Sequence, residues 1–481
     1  MNRFFFEKGE KKPFNTPLCR TKSRKWCKIF TAMLNIIFHY LVYVDEFFWG
    51  YCAFILIMVL GVFLSMKAGF FQIRALPHIC KTFFHFLKSS HTAERGVHPL
   101  KAFFASTGGM IGIGNVVGIV TAVQVGGPGA LFWVWIAGII GAIVKYCEIY
   151  LGFKFRVENH EGGYDGGPMY FLKKAFKTPI LPLAVAFLLC IYGVEIYQFS
   201  VITESITFNW HLPRMLVISV LLLGVLYAGI GGVKRIGKIC SLIMPIFLVC
   251  YLLIGIWVIG HEVHMLPEIL AEVFKSAFSG HAAIGGFAGS SVLLAIQHGI
   301  ARAAYSSDIG IGYDSIIQSE SSTVHPERQS RLAILGVFID NSICTISILI
   351  VLISGVWKAP VPLLGSQLVQ AGLSHYIPYM EYFIPLFFIV TGYTTIIAYF
   401  VVGLKCARYL APRWGRRIYF VYGTAAFIFF SFIPQSQALL VMSVSGALLL
   451  MTNLSAIFRL KNEIAFVEVE ESESIPTEET T

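Results

Sequence analysis

Apolar residues run along this chain in blocks of membrane-spanning length, separated by short polar stretches. A helix needs about twenty residues to cross roughly 30 Å of hydrocarbon. By that measure the pattern predicts ten helices, over residues 101–125, 129–153, 180–203, 214–230, 239–260, 279–301, 332–356, 379–404, 417–433 and 436–458. Ahead of them lies a polar arm rich in Lys and Arg, residues 1–28. An apolar piece from Ile29 to Val44, short for a full crossing, is interrupted by Asp45 and Glu46, and a better span runs from Phe47 to Met66. The chain turns acidic after Ile464, which predicts a disordered cytoplasmic tail. The expected organisation is a basic arm (1–28), an additional amino-terminal segment (29–66), two five-helix units (67–265 and 266–460) and the tail (461–481).

Composition narrows the class. With 56% hydrophobic and 13% charged residues among 481, the chain reads as an all-α polytopic membrane protein. A membrane β-barrel would show alternating segments of about ten residues instead. The net charge of +10 is spread through the loops and carries no nucleic-acid signature. If the loop before residues 101–125 is cytoplasmic, the inner loops hold twenty-four Lys and Arg and the outer loops three, Arg214, Lys275 and Lys358. That asymmetry is what the positive-inside rule requires. The arm is the misfit: its nine basic residues fall outside unless Ile29–Val44 also crosses. Ten scattered cysteines read as small core residues rather than disulfides or metal ligands.

The first of the ten helices contains Gly108-Gly109-Met110-Ile111-Gly112-Ile113-Gly114-Asn115. Four glycines in eight residues mark a helix that is broken or closely approached, because glycine costs the most backbone entropy and has no side chain to pack. A break at bilayer depth is tolerated only where the freed amides and carbonyls line a cavity. The rival reading is a glycine packing face between two helices. Asn115 favours the break, since an amide oxygen beside freed backbone suits an alkali cation. A second glycine-interrupted run, Ala282 to Ser290, lies in the sixth helix. Helices one and six enter from opposite faces, and paired breaks in inverted halves point to a secondary transporter with its site at the midplane.

Buried carboxylates add candidates for ion or proton paths: Glu148, Glu195 and Asp340 all fall within predicted spans. Glu148 and Asp340 lie nearer the cytoplasmic ends, where pairing with loop bases is the rival reading. His281, beside the second break, is a titratable ring that offers pH dependence. The predicted loop from Arg302 to Arg331 holds Ser306, Asp308, Asp314, Glu320 and His325, without a nucleophile elbow, metal spacing or phosphate loop. It reads as part of an inner gate, and the chain is not expected to be an enzyme.

Several stretches resemble the alanine/glycine:cation symporter family, whose members are similar to the leucine-transporter fold. They are Gly112-Ile113-Gly114-Asn115-Val116-Val117-Gly118, the run from Gly126-Gly127-Pro128 to Trp135, Gly166-Gly167-Pro168-Met169-Tyr170, Gly285-Gly286-Phe287-Ala288-Gly289 and Thr394-Thr395-Ile396. The resemblance implies an inverted-repeat (5+5) fold with broken helices one and six plus an extra amino-terminal span. It implies a multi-pass protein of the bacterial inner membrane that imports alanine or glycine, L or D, with sodium by alternating access. The substrate carboxylate would then meet amides around Ile111, Gly112, Ile113 and Gly114. Its ammonium would meet carbonyls around Ala282, Gly285 and Gly286, with Phe287 closing over it and Gln198 facing it. Sodium would be held by the carbonyls of Gly108, Ile111 and Thr391 and the hydroxyls of Thr394 and Thr395, with Asn115 at a second cation position. Neither an organic cofactor nor an obligatory protein partner is implied beyond the amino acid and the bilayer. Departures from the family pattern stand at Met110, at Ser306-Ser307-Asp308-Ile309-Gly310, at Asp340-Asn341 and at His281. Alternatives are proton coupling through Glu195, Asp340 or His281 with another small solute, and an ion channel; the latter is disfavoured because channel filters usually arise from subunit symmetry.

Overall fold

The computed structural model describes residues 24–88, 95–279, 291–358, 363 and 365–467. Helix α1 (Arg24–Phe47) passes through a π-helical turn (Phe48–Ala53) into α2 (Phe54–Lys67). Asp45 and Glu46 therefore do not end a helix, contrary to the sequence expectation. A helical backbone satisfies its own hydrogen bonds, so a charged pair costs nothing in continuity. The apolar part of this run, Ile36–Lys67, has 32 residues, more than a bilayer requires. Short helices α3 (Phe71–Arg74) and α4 (Leu76–Lys88) follow, then α5 (Pro99–Met110), α6 (Thr121–Gly126) and α7 (Ala130–Lys154).

A small antiparallel hairpin, β1 (Val157–Glu158) and β2 (Tyr164–Asp165), leads to α8 (Pro168–Phe176). The middle of the chain is α9 (Ile180–Tyr192), α10 (Ile196–Asn209), α11 (Arg214–Ile230), α12 (Gly232–His261) and α13 (Leu266–Ser279). Helices α14 (Val292–Ser306), α15 (Tyr313–Gln318), α16 (Pro326–Ile353), α17 (Gly365–Ser374), α18 (Met380–Leu410), α19 (Gly415–Phe430) and α20 (Gln435–Arg459) complete it. Among the described residues seven helical runs are long and apolar enough to cross a bilayer. Fewer qualify than the ten-helix frame predicts because residues 101–125 divide into shorter helices, residues 280–290 lie outside the described residues, and α11 and α19 have 17 and 16 residues.

Burial separates centre from rim. In the most apolar windows of α7, α18 and α20, 67%, 72% and 72% of residues are buried, against 28% in α12 and 33% in the amino-terminal run. The outer helices thus show Leu, Ile and Phe to the surface, as lipid-facing helices do. At the centre α7 packs on α14 and α16, α5 on α12 and α18, and α18 on α9 and α10. Most of the polar side chains that are buried sit on these central helices. On the face where β1–β2 lies, Lys405 at the end of α18 clasps the hairpin: its Nζ is 3.0 Å from Asp165, 2.5 Å from Glu320 and 2.8 Å from the Tyr164 carbonyl. Arg156 donates to the carbonyls of Ser319 and Ser321, at 2.9 and 2.6 Å, tying the same hairpin to the segment after α15.

Candidate functional site

Three central helices lose regular form at the same place. Helix α5 stops at Met110; Ile111 (φ −84°, ψ 91°) and Gly112 (φ −123°, ψ −162°) are extended, residues 113–115 form a 3-10 turn, and α-helix resumes at Thr121. Between α9 and α10, Glu195 adopts the left-handed conformation (φ 51°, ψ 47°). The helix predicted over 180–203 is thus two helices, with Glu195 at the N-cap of the second. Between α14 and α15, Asp308, Gly310 and Gly312 have positive φ. A left-handed non-glycine residue costs about 1–2 kcal/mol, so Glu195 and Asp308 are held there by their surroundings.

The segment facing the irregular stretch after α5 is therefore Ser307–Gly312, which sequence reading assigned to a cytoplasmic loop. Its run of polar residues looked solvent-exposed, yet Ser307, Asp308 and Asp314 are all buried. The expected second break, with His281, Ala282, Gly285, Gly286 and Phe287, lies outside the described residues.

Close approach explains the glycines of the first segment. A Cβ on Gly112 would stand 2.6 Å from Thr395 Oγ1 and 2.7 Å from Gln198 Oε1, and one on Gly109 only 1.7 Å from the Tyr313 hydroxyl. The freed backbone groups are taken up by side chains. Gly112 N–H donates to Asn115 Oδ1 at 3.0 Å, and Ile113 N–H to Gln198 Oε1 at 3.2 Å. Thr395 Oγ1 lies 3.3 Å from the Gly108 carbonyl and 3.1 Å from that of Thr391. Thr394 does not join them. Its hydroxyl lies 2.8 Å from the Thr391 carbonyl and 3.1 Å from that of Val390, against Met244 Sδ of α12. This is the back-bonding that hydroxyls adopt on apolar helices.

Asn115 and Asp340 join three elements. The Asn115 amide nitrogen donates to Asp340 Oδ1, and Ser307 Oγ donates to Asp340 Oδ2 at 2.5 Å. Asp340 is completely buried in α16 and meets these polar groups rather than loop bases, correcting the rival reading of it as a cytoplasmic-end ion pair. Glu148 is also fully buried, one turn from Lys145 on α7.

Sequence reasoning missed the groups that hold Ser307–Gly312. Lys145, 1% exposed, forms an ion pair with Asp314 and donates to the Asp308 carbonyl at 2.7 Å. Asp314 also accepts from Ser106 Oγ of α5. Asn453 of α20 donates to the carbonyls of Gly310 and Ile311 at 3.0 and 2.8 Å. A signal existed: Lys145 is the one basic residue outside the arm and the loops, alone in an apolar run.

These segments enclose a cavity of about 20 Å3, enough for one water-sized body. Met110, Gly112, Gly114, Asn115, Gln198 and Thr395 line it, together with Ser306, Asp308, Glu195 and several tyrosines. The 0% to 8% exposure of Asn115, Gln198, Glu195, Asp308 and Thr395 makes it a buried polar site.

A multi-pass helical membrane protein with a buried polar cavity where irregular segments of separate helices meet has the arrangement of a membrane transporter. The chain matches the sodium:alanine symporter family over residues 34–473 and belongs to it. It is 30% identical over 386 residues to the sodium/alanine symporter AgcS of Methanococcus maripaludis, covering 78% of this chain and 84% of that protein. It is also 30% identical over 437 residues to an uncharacterized transporter of Haemophilus influenzae, covering 88% and 93%. The Eremococcus coleocola manganese transporter, at 14% identity, superposes with a TM-score of 0.49 over 74% of this chain and 76% of that one.

Proposed function

We propose that the chain is a sodium-coupled secondary symporter that imports a small amino acid by alternating access across a bacterial plasma membrane. The observation that carries this reading is the convergence of residues 111–120, Glu195 and Ser307–Gly312 on one buried cavity. In this reading α5/α6 and α14/α15 are the interrupted first and sixth helices of two inverted five-helix halves. The interruption of the sixth would then lie at residues 307–312, while residues 282–286, where the sequence places it, are outside the described residues.

Sodium prefers hard oxygen ligands. One cation would take the carbonyls of Gly108, Ile111 and Thr391 with the Thr395 hydroxyl, Thr394 being turned away. A second would sit between Asn115, Ser307 and Asp340, where a buried carboxylate already faces neutral donors. Cation binding would order the segment after α5 against α18 and α16 and complete the cavity for the amino acid. The ion gradient and membrane potential, about 2.3 kcal/mol per charge per 100 mV, would supply the work. Glycines on the wall favour a small substrate, and alanine and glycine are the first to test because the family resemblance and the name of the archaeal relative point to them.

The test is uptake of labelled alanine and glycine into proteoliposomes with and without an inward sodium gradient, for wild type, Asn115→Ala, Thr394→Val and Thr395→Val. Saturable, sodium-driven uptake whose sodium requirement rises in the Asn115 and Thr395 variants, and less in the Thr394 variant, is expected. Uptake driven by a pH gradient and indifferent to sodium would move the coupling to a carboxylate. Uptake independent of any gradient would end the symporter reading.

A further inference from the structure

On the face that carries the β1–β2 hairpin, several bases meet acids: Arg95 lies 2.8 Å from Glu158, Lys154 2.8 Å from Glu463 and Lys405 3.0 Å from Asp165. One corner of that face lacks this balance. Lys234, Arg235 and Lys238 stand in the first turns of α12, and Arg413, Arg416 and Arg417 where α18 passes into α19. The fold brings the two groups together: Arg416 donates to the carbonyl of Ile230, the last residue of α11, at 3.2 Å, and α11 packs on α19. The chain has no Asp or Glu between Glu204 and Glu262 or between Glu381 and Glu463, so neither turn brings an acid of its own. Glu161 of the hairpin loop approaches Arg416 to 3.8 Å but lies closer, at 2.5 Å, to Arg408. Among the described residues Lys234, Lys238, Arg413 and Arg417 make no ion pair, and all four are exposed.

The same helices turn apolar at once. Leu223, Tyr227 and Ile230 of α11 and Ile418 and Val421 of α19 are each more than half exposed. Spacings of three and four residues put each set on one helix face. Exposed apolar faces of this kind are what lipid tails cover in a membrane. Aromatic rings mark the headgroup level between the two zones: the Arg235 guanidinium lies 4.2 Å from the Tyr227 ring centre, that of Arg417 5.4 Å from the Trp414 ring, and both rings are exposed.

We infer that this corner is a binding site for an anionic phospholipid, its phosphate received by the six bases and its acyl chains lying along the exposed faces of α11 and α19. Charge selects the occupant. A zwitterionic lipid offers the same tails but brings its own cation to the bases, whereas a lipid of net negative charge supplies what the two turns lack. The acidic end of this chain, residues 468–481, has the right sign of charge but only Val469, Ile475 and Pro476 to lay on the apolar faces.

The test is native mass spectrometry of the purified full chain after exposure in detergent to an equal mixture of phosphatidylglycerol and phosphatidylcholine. Wild type is expected to retain phosphatidylglycerol over phosphatidylcholine by at least about tenfold, since several bases act on one phosphate. Lys234→Gln with Arg413→Gln and Arg417→Gln should bring that ratio toward one; Arg416 is kept so that α11 and α19 stay joined. Lys173→Gln with Lys174→Gln and Lys177→Gln, which removes another exposed basic group, should leave the ratio near that of wild type. Thermal unfolding in phosphatidylcholine alone checks the fold: the first triple variant should match wild type there and lose only the added stability that phosphatidylglycerol confers. No preference in wild type, or an equal loss in both triple variants, would mean that the bases act only as a general field and would overturn the site. A first triple variant already less stable in phosphatidylcholine would mean that these bases hold another part of the chain, such as its acidic end, and would overturn it as well.

Discussion

Lys145→Met tests whether the buried charge pair holds the irregular segment before α15. The lysine makes an ion pair with Asp314 and a 2.7 Å hydrogen bond to the Asp308 carbonyl, at 1% exposure on both charged side chains. Removing it leaves Asp314 as an uncompensated buried carboxylate, which costs about 3–5 kcal/mol. The Asp308 carbonyl loses its donor as well, a further ~1 kcal/mol or more. Replacing both partners with apolar residues, in Lys145→Met with Asp314→Leu, removes the charges together and is often nearly neutral. Here it also strips Ser106 Oγ of its acceptor and still leaves the Asp308 carbonyl without its donor, so about 2–4 kcal/mol remains lost for the double variant. Thermal unfolding of the purified variants in detergent, followed by intrinsic fluorescence, should rank wild type first, the double variant second and Lys145→Met last. A double variant as damaged as the sum of the two single ones would mean the charges do not interact. Single variants indistinguishable from wild type would refute the argument outright.

Three further outcomes follow from the same geometry. Gly109→Ala puts a methyl carbon onto the Tyr313 hydroxyl and the ring carbons beside it, and Tyr313 is stacked on Tyr399 with ring centroids 3.9 Å apart; a cost at the upper end of the usual ~1–3 kcal/mol for overpacking and loss of uptake are expected, with stability regained when Tyr313→Leu removes the ring, but not with Tyr313→Phe, as the check. Asn453→Ala leaves the Gly310 and Ile311 carbonyls without their donor, so about 1–3 kcal/mol of stability should disappear, read as a lower unfolding temperature, whereas Ser455→Ala on the same helix should change little. Burial pushes the Asp165 carboxyl up, but Lys405 beside it more than offsets this and holds the group below the ordinary aspartate value of 3.8. The hairpin clasp should then be fully formed above that value and weaken only as pH falls below it, so limited proteolysis of the 157–165 loop should be flat through neutral pH and rise in acid.

The sequence showed the spans well where a helix is long and uninterrupted. The bounds of α7, α11 and α20 lie within a few residues of those the apolar pattern predicts. It showed the first irregular segment because glycine is a local signal, and Gly109 and Gly112 owe their identity to contacts that admit no Cβ. The interruption at Ser307–Gly312 was hidden for the converse reason. Ser307 and Asp308 are polar, and nothing local separates a polar turn in water from one wrapped by Lys145 and Asn453 inside the protein. The same holds for helix 180–203, whose interruption rests on Glu195 taking a left-handed conformation that its sequence neighbours do not demand.

Hydrophobic period and length, being properties of the chain itself, determined that this protein is helical and crosses the membrane many times. Local glycine content determined where α5 would end. Which side chains meet is a different kind of fact, because Asn115 and Asp340 are 225 residues apart, and Lys145 and Asp308 are 163. Their pairing exists only once α5, α7, α14 and α16 are packed, and the cost of leaving a polar group unpaired in a dry interior fixes it. Tertiary structure therefore decided that Thr395 rather than Thr394 faces the Gly108 carbonyl. It also brought Glu195 and Asp308, from separate interrupted helices, to the wall of one cavity.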